Sequence, residues 1–218
     1  MFALEVEYLT GRAVATARHR REEAEWPPHP GRLYSALVDA AFQAVSADGE
    51  TLPDDIRAAL EWLEKQDAPS LAVGEAQRRD VMPVFVPVND ASTPAKPGRV
   101  PSAGQIKDAL AVLPDGRGRQ PRYFPTVIPD SPLVHFIWEN ALDAETHRPA
   151  FDRLTAFVPY LGHSSSLVRV AVTDAPERIT YRPDPHGQHQ LRVPAPGRLG
   201  DLIAHYAQNS RQIGRAHV

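Results

Sequence analysis

The sequence predicts an α+β fold, an antiparallel sheet with helices on one face, and three observations predict it. Phe2, Leu4, Val6 and Tyr8 alternate with Glu5, Glu7 and shorter residues, the pattern of a strand with one buried face. Residues 26–45, WPPHPGRLYSALVDAAFQAV, carry Leu33, Ala36, Leu37, Ala40, Ala41, Ala44 and Val45 at helical spacing, and Tyr34, Val38 and Phe42 widen the apolar stripe. The compact run Leu133–Trp138, LVHFIW, reads as a central strand.

The remaining elements follow in order. Residues 11–25 are rich in Arg, Ala and Glu and suit a second strand or an ordered loop. Pro27, Pro28 and Pro30 then stop that segment, and Pro30 fits the first helical turn, where a missing N–H costs nothing. Gly31 and Arg32 stand beside N–H groups that have no partner within the helix, a place for a phosphate; a plain core helix with a Pro-rich entry explains the stretch as well. This helix is expected to end near residues 48–49. A second one opens at Pro53, Asp54 and Asp55, buries Ile56, Ala59, Leu60 and Leu63, and ends at Pro69. Residues 70–76 and 81–88 read as strands joined by 77–80, the second at an edge or bulge because Pro83 and Pro87 lack a ladder donor. Residues 89–121 form a long basic inserted loop, with a short helix at 105–113; loops of this length are usually functional or disordered. Residues 143–161 read as a helix burying Phe151, Leu154, Phe157, Val158 and Leu161, with Pro149 in its first turns and Pro159 breaking its end. A last strand covers 167–172. The order is close to the βαββαβ unit of ferredoxin-like folds, with helices on one sheet face and the other open to a ligand.

With 218 residues, 42% of them hydrophobic, the chain can bury a real core as one large domain or two small ones. The absence of Cys excludes disulfides and thiolate metal sites. No run approaches membrane-spanning length, and Met1 leads directly into a strand without a signal peptide, so the cytoplasm is the default compartment and no membrane partner is expected. A net charge of −3 argues by itself against a nucleic-acid binder. The charge is uneven, however. Residues 39–67 hold eight acidic and two basic residues, whereas 96–122 hold six basic and two acidic. Arg12, Arg18, Arg20 and Arg21 with His19 form another basic segment, and 178–198 carry four Arg against one Asp. Each cluster alone suits a solvated loop; three of them in Pro/Gly-rich connections suit a polyanion partner.

The most specific local feature is Tyr160-Leu161-Gly162-His163-Ser164-Ser165-Ser166, between the second long helix and the last strand. Gly162 can take the left-handed conformation that ends a helix, and the following N–H groups and hydroxyls could cradle phosphate oxygens. A capped helix followed by a polar turn fits too. GHSSS also resembles the G-x-S-x-G elbow of serine hydrolases, but the fifth position is Ser166, and the elbow needs strand, turn, helix where this order is helix, turn, strand. His135 reads as a core residue with a local hydrogen bond. His186 and His189 lie in a Pro/Gly-rich stretch without a carboxylate or Cys set, so no metal site and no cofactor are expected.

Several stretches together carry a resemblance: residues 2–11, the Arg-rich stretch leading into AEWPPHPGRLYSALVDAAF, RYFPTVIP at 122–129, and YLGHSSSLVRV at 160–170. In this order, over about residues 1–210, the chain resembles the type I-U (I-G) CRISPR-associated protein of the RAMP superfamily, in which a crRNA handle-binding module is fused to a repeat-processing endoribonuclease. The resemblance implies an RRM-like (ferredoxin-like) domain at 1–175 with the inserted loop 89–121 touching RNA. It implies binding of the repeat-derived 5′ handle of crRNA and assembly with other subunits of an interference complex. The residues expected at the RNA are Arg18, Arg20, Arg21, His29, Arg32, Arg117, Arg119, Arg122, Gly162, His163, Ser164 and Ser165, with Tyr123 and Phe124 as stacking candidates or ordinary strand packing.

Residues 176–212 would then be a hairpin or linker and the start of a truncated second module, with the nuclease residues beyond it. Residues 213–218, IGRAHV, are what ATC GGA AGA GCA CAC GTC encodes, a string shared with a common sequencing-library adapter, and are expected to be a non-native tail. Metal-free RNA cleavage needs groups that activate a 2′-OH and protonate the leaving oxygen; His19, His29 and His163 are the candidates here, and nothing in the sequence brings any two of them together. The expected activity is RNA binding without cleavage, with precursor processing by this fragment as the alternative and a serine hydrolase as a remote one.

Overall fold

The computed structural model describes residues 1–46, 51–87, 102–104, 106 and 119–215, apart from the side chains of Pro87 and of 207–215. The elements are β1 (Phe2–Tyr8), β2 (Ala13–Val14), α1 (Pro30–Ala40), a π-helical turn (Ala41–Val45), α2 (Asp54–Leu63), β3 (Ser70–Val73), β4 (Ala76–Arg78), β5 (Val84–Pro87), β6 (Arg119–Arg122), β7 (Thr126–Pro129), β8 (Leu133–Trp138), α3 (Ala144–Thr155), β9 (Val168–Thr173) and α4 (Arg198–Arg215).

The main sheet has the order β3-β8-β1-β9, with antiparallel pairing throughout. With α1 and α2 between β1 and β3, and α3 between β8 and β9, this is the strand order of the split βαβ unit that the sequence predicts. The alternation in β1 sets the register. Leu4 lies opposite Phe136 and Val172, and Val6 opposite Val134 and Val170, so one sheet face is a continuous apolar layer. Leu33, Tyr34, Leu37 and Val38 of α1, Ile56, Leu60 and Leu63 of α2, and Phe151 and Leu154 of α3 cover it. Phe2 is the meeting point of the layers, with ring centroids 5.3 Å from Trp62, 5.8 Å from Trp138 and 5.0 Å from Phe151. Burying aromatic faces at such separations contributes beyond the area removed from water.

Two smaller sheets flank this core: β2-β7-β4, and the pair β5-β6. Residues 77–78, expected in a connection, belong to β4 and pair with β7, whose Val127 is fully buried. The isolated β5–β6 ribbon accommodates Pro83 and Pro87 at an edge, as the missing donors require. Arg119–Arg122, the far end of the expected inserted loop, is strand β6; most of 89–118 lies outside the described residues. The helix expected over 143–161 ends at Thr155. Val158 precedes Pro159, which disfavours the helical region for it, and the chain closes with tight bonds from Phe157 N to Leu154 O and Val158 N to Thr155 O. Phe157, expected inward, is therefore exposed.

The second face of the main sheet is less open than expected. After β9 the chain crosses it, and Ala175 and Ile179 pack on Ala3, Ala72 and Ile137. It then pairs Tyr181 with Leu71 at the outer edge of β3. The rest of this face carries ion pairs, Glu5 with His135 at 3.1 Å and Glu7 with Arg169 at 2.7 Å. Among the described residues no helix is long and apolar enough to cross a membrane.

Candidate functional site

A cleft of about 660 Å³ opens between α1, the turn after α3 and the segment 192–198 that leads into α4. Arg18, Arg32, Arg192 and Arg198 line it, with Asp39 as its acidic side chain. Gly31, Ser35, Ala36, Tyr160, Gly162 and the stretch from Val193 to Ala195 complete the walls.

One buried carboxylate organises the basic end. Glu25 is 4% exposed. Arg32 donates to both its oxygens, Nε to Oε1 at 2.6 Å and Nη2 to Oε2 at 3.0 Å, and Arg192 Nη2 donates to Oε2 at 2.8 Å. Arg32 Nη2 also reaches the Thr16 carbonyl at 2.8 Å. A carboxylate this deep needs such partners, and a planar guanidinium meets it with two parallel bonds. His29 takes the other side of Arg192: its Nδ1 accepts from Arg192 Nε at 2.9 Å and from Arg192 N at 3.3 Å. An accepting Nδ1 fixes the tautomer with the proton on Nε2. Burial lowers the His29 pKa; Glu25 opposes that shift, and Arg192 and Arg32 reinforce it. Tyr8, behind the cluster, has its pKa raised by burial and by Glu25.

The start of α1 is already satisfied. Gly31 N donates to the Arg192 carbonyl at 2.8 Å, and His29 N reaches Glu25 Oε1 at 3.3 Å. The N–H groups expected to await a phosphate there are therefore engaged by the protein itself. The start of α4 is closed in the same manner by Glu64, just past the end of α2, which accepts from Gly197 N, Leu199 N and the Tyr34 hydroxyl at 2.8, 2.7 and 2.9 Å. Burial and Glu64 raise the Tyr34 pKa.

The turn after α3 is rigid. Gly162 has φ +93°, and a Cβ there would lie 2.8 Å from the Val14 carbonyl oxygen. That oxygen accepts from His163 N at 2.9 Å and from Ser166 Oγ at 3.2 Å, while Val14 N donates to Ser166 Oγ at 2.6 Å. Ser166 is fully buried and so joins the turn to β2. His163 Nδ1 bonds Ser165 Oγ at 2.9 Å, and the exposed Phe124 meets the His163 ring edge-on at 5.0 Å. Among the described residues no carboxylate pairs with His163, and Ser164 stands on a turn that enters a strand, not a helix, so the hydrolase elbow is not formed.

Of the residues expected at RNA, the cleft gathers Arg18, Arg32 and Gly162, with His29 bonded behind it. His163, Ser164 and Ser165 continue from Gly162 along the surface, where His163 meets Phe124; Arg119 and Arg122 are exposed on β6 and do not line the cleft. Arg20 pairs with Glu23, and Arg21 is exposed; neither lines the cleft. Arg117 lies outside the described residues. His29 is engaged by Arg192, and His19 is exposed, so no pair of the three candidate histidines is brought together by a hydrogen bond. Sequence reasoning missed Arg192, Arg198, Asp39 and Glu25. The basic composition of 178–198 was a signal for the first two; nothing local marked Glu25 as their partner. Among the described residues no group of three or more His, Asp or Glu could hold a metal ion.

The sequence matches a family described as "CRISPR-associated protein, GSU0054 family" over residues 1–216. The chain belongs to that family. Two solved structures are similar at low identity. A CRISPR protein from Archaeoglobus fulgidus is 15% identical, with 79% of this chain and 61% of that chain covered and a TM-score of 0.27. Cas6 from Thermus thermophilus is 16% identical, with 78% and 53% covered and a TM-score of 0.30. This CRISPR-associated chain thus spans about three fifths and about half of those two proteins' lengths. No curated protein matches it by sequence.

Proposed function

We propose that this chain is the RNA-binding subunit of a type I-U (I-G) interference complex, gripping the repeat-derived 5′ handle of crRNA as a scaffold for the other subunits. The observation that carries the reading is the arginine-lined cleft with the turn beside it: Gly162 lines the cleft, and His163, next in the chain, meets the exposed Phe124 ring. Single-stranded RNA is held by such combinations of backbone charge and stacking. The far sheet face, crossed by residues 174–181 and set with Glu5 and Glu7, is acidic and partly covered, which supports the cleft side as the RNA side. In this reading residues 1–175 hold the handle together with Arg192 and Arg198, residues 176–212 lead on towards a second module, and precursor cleavage belongs to that module.

The test is a titration of labelled repeat RNA with the full chain over a range of salt, with a denaturing gel on the same samples. Salt-dependent binding of intact RNA is expected. Exchanging Arg18 and Arg198 for Ala should weaken binding and lower the log–log salt slope by about 0.7 for each single-strand phosphate that is no longer neutralised. An unchanged slope would refute the cleft as the RNA site. A single metal-independent cut would move catalysis into this chain, with His19, His29 and His163 as the first variants.

A further inference from the structure

The cleft is polarised along α1. Arg32, Ser35, Ala36 and Asp39 line it from one helix face, with Arg32 and its neighbour Arg192 at the N-terminal end and the Asp39 carboxylate at the other. Seven residues of helix separate Arg32 from Asp39, about 10 Å along the axis. That is close to the span from a nucleotide's phosphate to the pairing edge of its own purine base. Between the two ends the helix contributes only Ser35 and Ala36, and opposite them stand Tyr160 and the apolar stretch from Val193 to Ala195. Gln43 Nε2 donates to Asp39 Oδ1 at 2.7 Å, which steadies the carboxylate and uses one of its four lone-pair sites, so both oxygens can still accept.

We infer that this cleft reads one nucleobase, and that the base it selects is guanine. The inference rests on the RNA-binding reading and adds to it a specificity determinant, Asp39. A carboxylate offers two adjacent acceptors and no donor. Guanine alone among the four RNA bases presents two adjacent donors, N1–H and the N2 amine, on its pairing edge. Adenine and cytosine place a ring acceptor beside their amine, and uracil flanks its single N–H with two carbonyls; each sets an acceptor against the carboxylate. The phosphate of the same nucleotide lies at the Arg18 and Arg32 end, the ribose passes Ser35 and Ala36, and the base is flanked by Tyr160 and Val193–Pro194. A flipped-out base with both faces covered and its pairing edge read is the usual manner of single-strand RNA recognition.

The experiment measures binding of GMP, AMP, CMP and UMP to the full chain by calorimetry at low salt, with the repeat-RNA titration run beside it. GMP is expected to bind at least about tenfold tighter than the others, the discrimination of one good bidentate pair. Asp39→Asn, an isosteric change at a half-exposed position, should erase that preference and leave the common affinity. Arg18→Ala should weaken all four by a similar factor. Thermal melts of both variants guard against misfolding, and Ala36→Leu, which fills the middle of the cleft, should abolish binding of all four. Equal binding of the four nucleotides, or a GMP preference that survives Asp39→Asn, overturns the inference while RNA binding stands. Loss of binding to both nucleotides and RNA by the folded wild-type chain overturns both readings.

Discussion

Replacing Gly162 by Ala should destabilise this protein more than the same change at any other described left-handed glycine. Gly162 combines φ +93° with crowding: the new Cβ would meet the Val14 carbonyl oxygen at 2.8 Å and the Ala15 Cβ at 3.1 Å. An alanine at positive φ costs about 1–2 kcal/mol. The backbone oxygen cannot swing aside freely, because it accepts from His163 N and Ser166 Oγ. Displacing it weakens two hydrogen bonds worth about 1 kcal/mol each. The sum is about 3 kcal/mol, or a fall in Tm of about 6–12 °C for a domain of this size. Gly11 supplies the control. It has φ +62° with nothing within 4 Å of its ideal Cβ, so Gly11→Ala should cost only the backbone part, about 1–2 kcal/mol. Both variants lose similar unfolded-state freedom, so their difference isolates the contact with β2. Urea unfolding of the two full-length variants measures it. Equal losses would refute the argument that the turn is clamped against Val14.

Further outcomes follow from the same contacts. Ser166→Ala leaves the buried Val14 N–H without its 2.6 Å acceptor and should cost about 2 kcal/mol, read as a lower urea midpoint at unchanged m-value. Glu25→Gln removes the charge shared by Arg32 and Arg192 and one of its acceptor oxygens; the part exposure of both guanidiniums holds the loss to about 2 kcal/mol, below that of a fully buried pair, and urea unfolding tests it. The His29 pKa is lowered in the folded state by burial, so below about pH 6.5 the unfolded chain binds a proton that the folded site refuses. Stability from this group is present above that pH and lost as pH falls through the folded value. The urea midpoint should drop between pH 7.5 and pH 5, and drop less in His29→Gln.

The main sheet and its helices were legible because each carries its own period. The alternation of β1, the stripe of α1 and the apolar run of β8 each identify a buried face without reference to the rest of the chain. Strands such as β2 and β4 are too short to show a period, and β7 alternates against partners far away in sequence, so the flanking sheet was not visible. The end of α3 was misplaced because Phe157 and Val158 continue the apolar spacing that Pro159 forbids the backbone to follow. At the candidate site, the arginines near residue 18 and the Gly162 turn stood out locally. The use of the Gly31 N–H at the start of α1 did not, since its acceptor is the carbonyl of Arg192, more than 150 residues away in the sequence. Glu25 looked like one more charge in a mixed segment; only the tertiary structure makes it the hub of Arg32, His29 and Arg192.

That hub has a consequence for affinity. A free arginine samples many rotamers, and holding it against a ligand costs about 0.5–1.5 kcal/mol in lost side-chain freedom. Arg32 and Arg192 are held by Glu25 before any ligand arrives, so folding has already absorbed that entropy. An anion entering the cleft meets two preorganised guanidiniums, and each spares the encounter a penalty of up to about tenfold in Kd. The carboxylate that lowers the net positive charge of the cleft thereby raises the efficiency of the charges it leaves there.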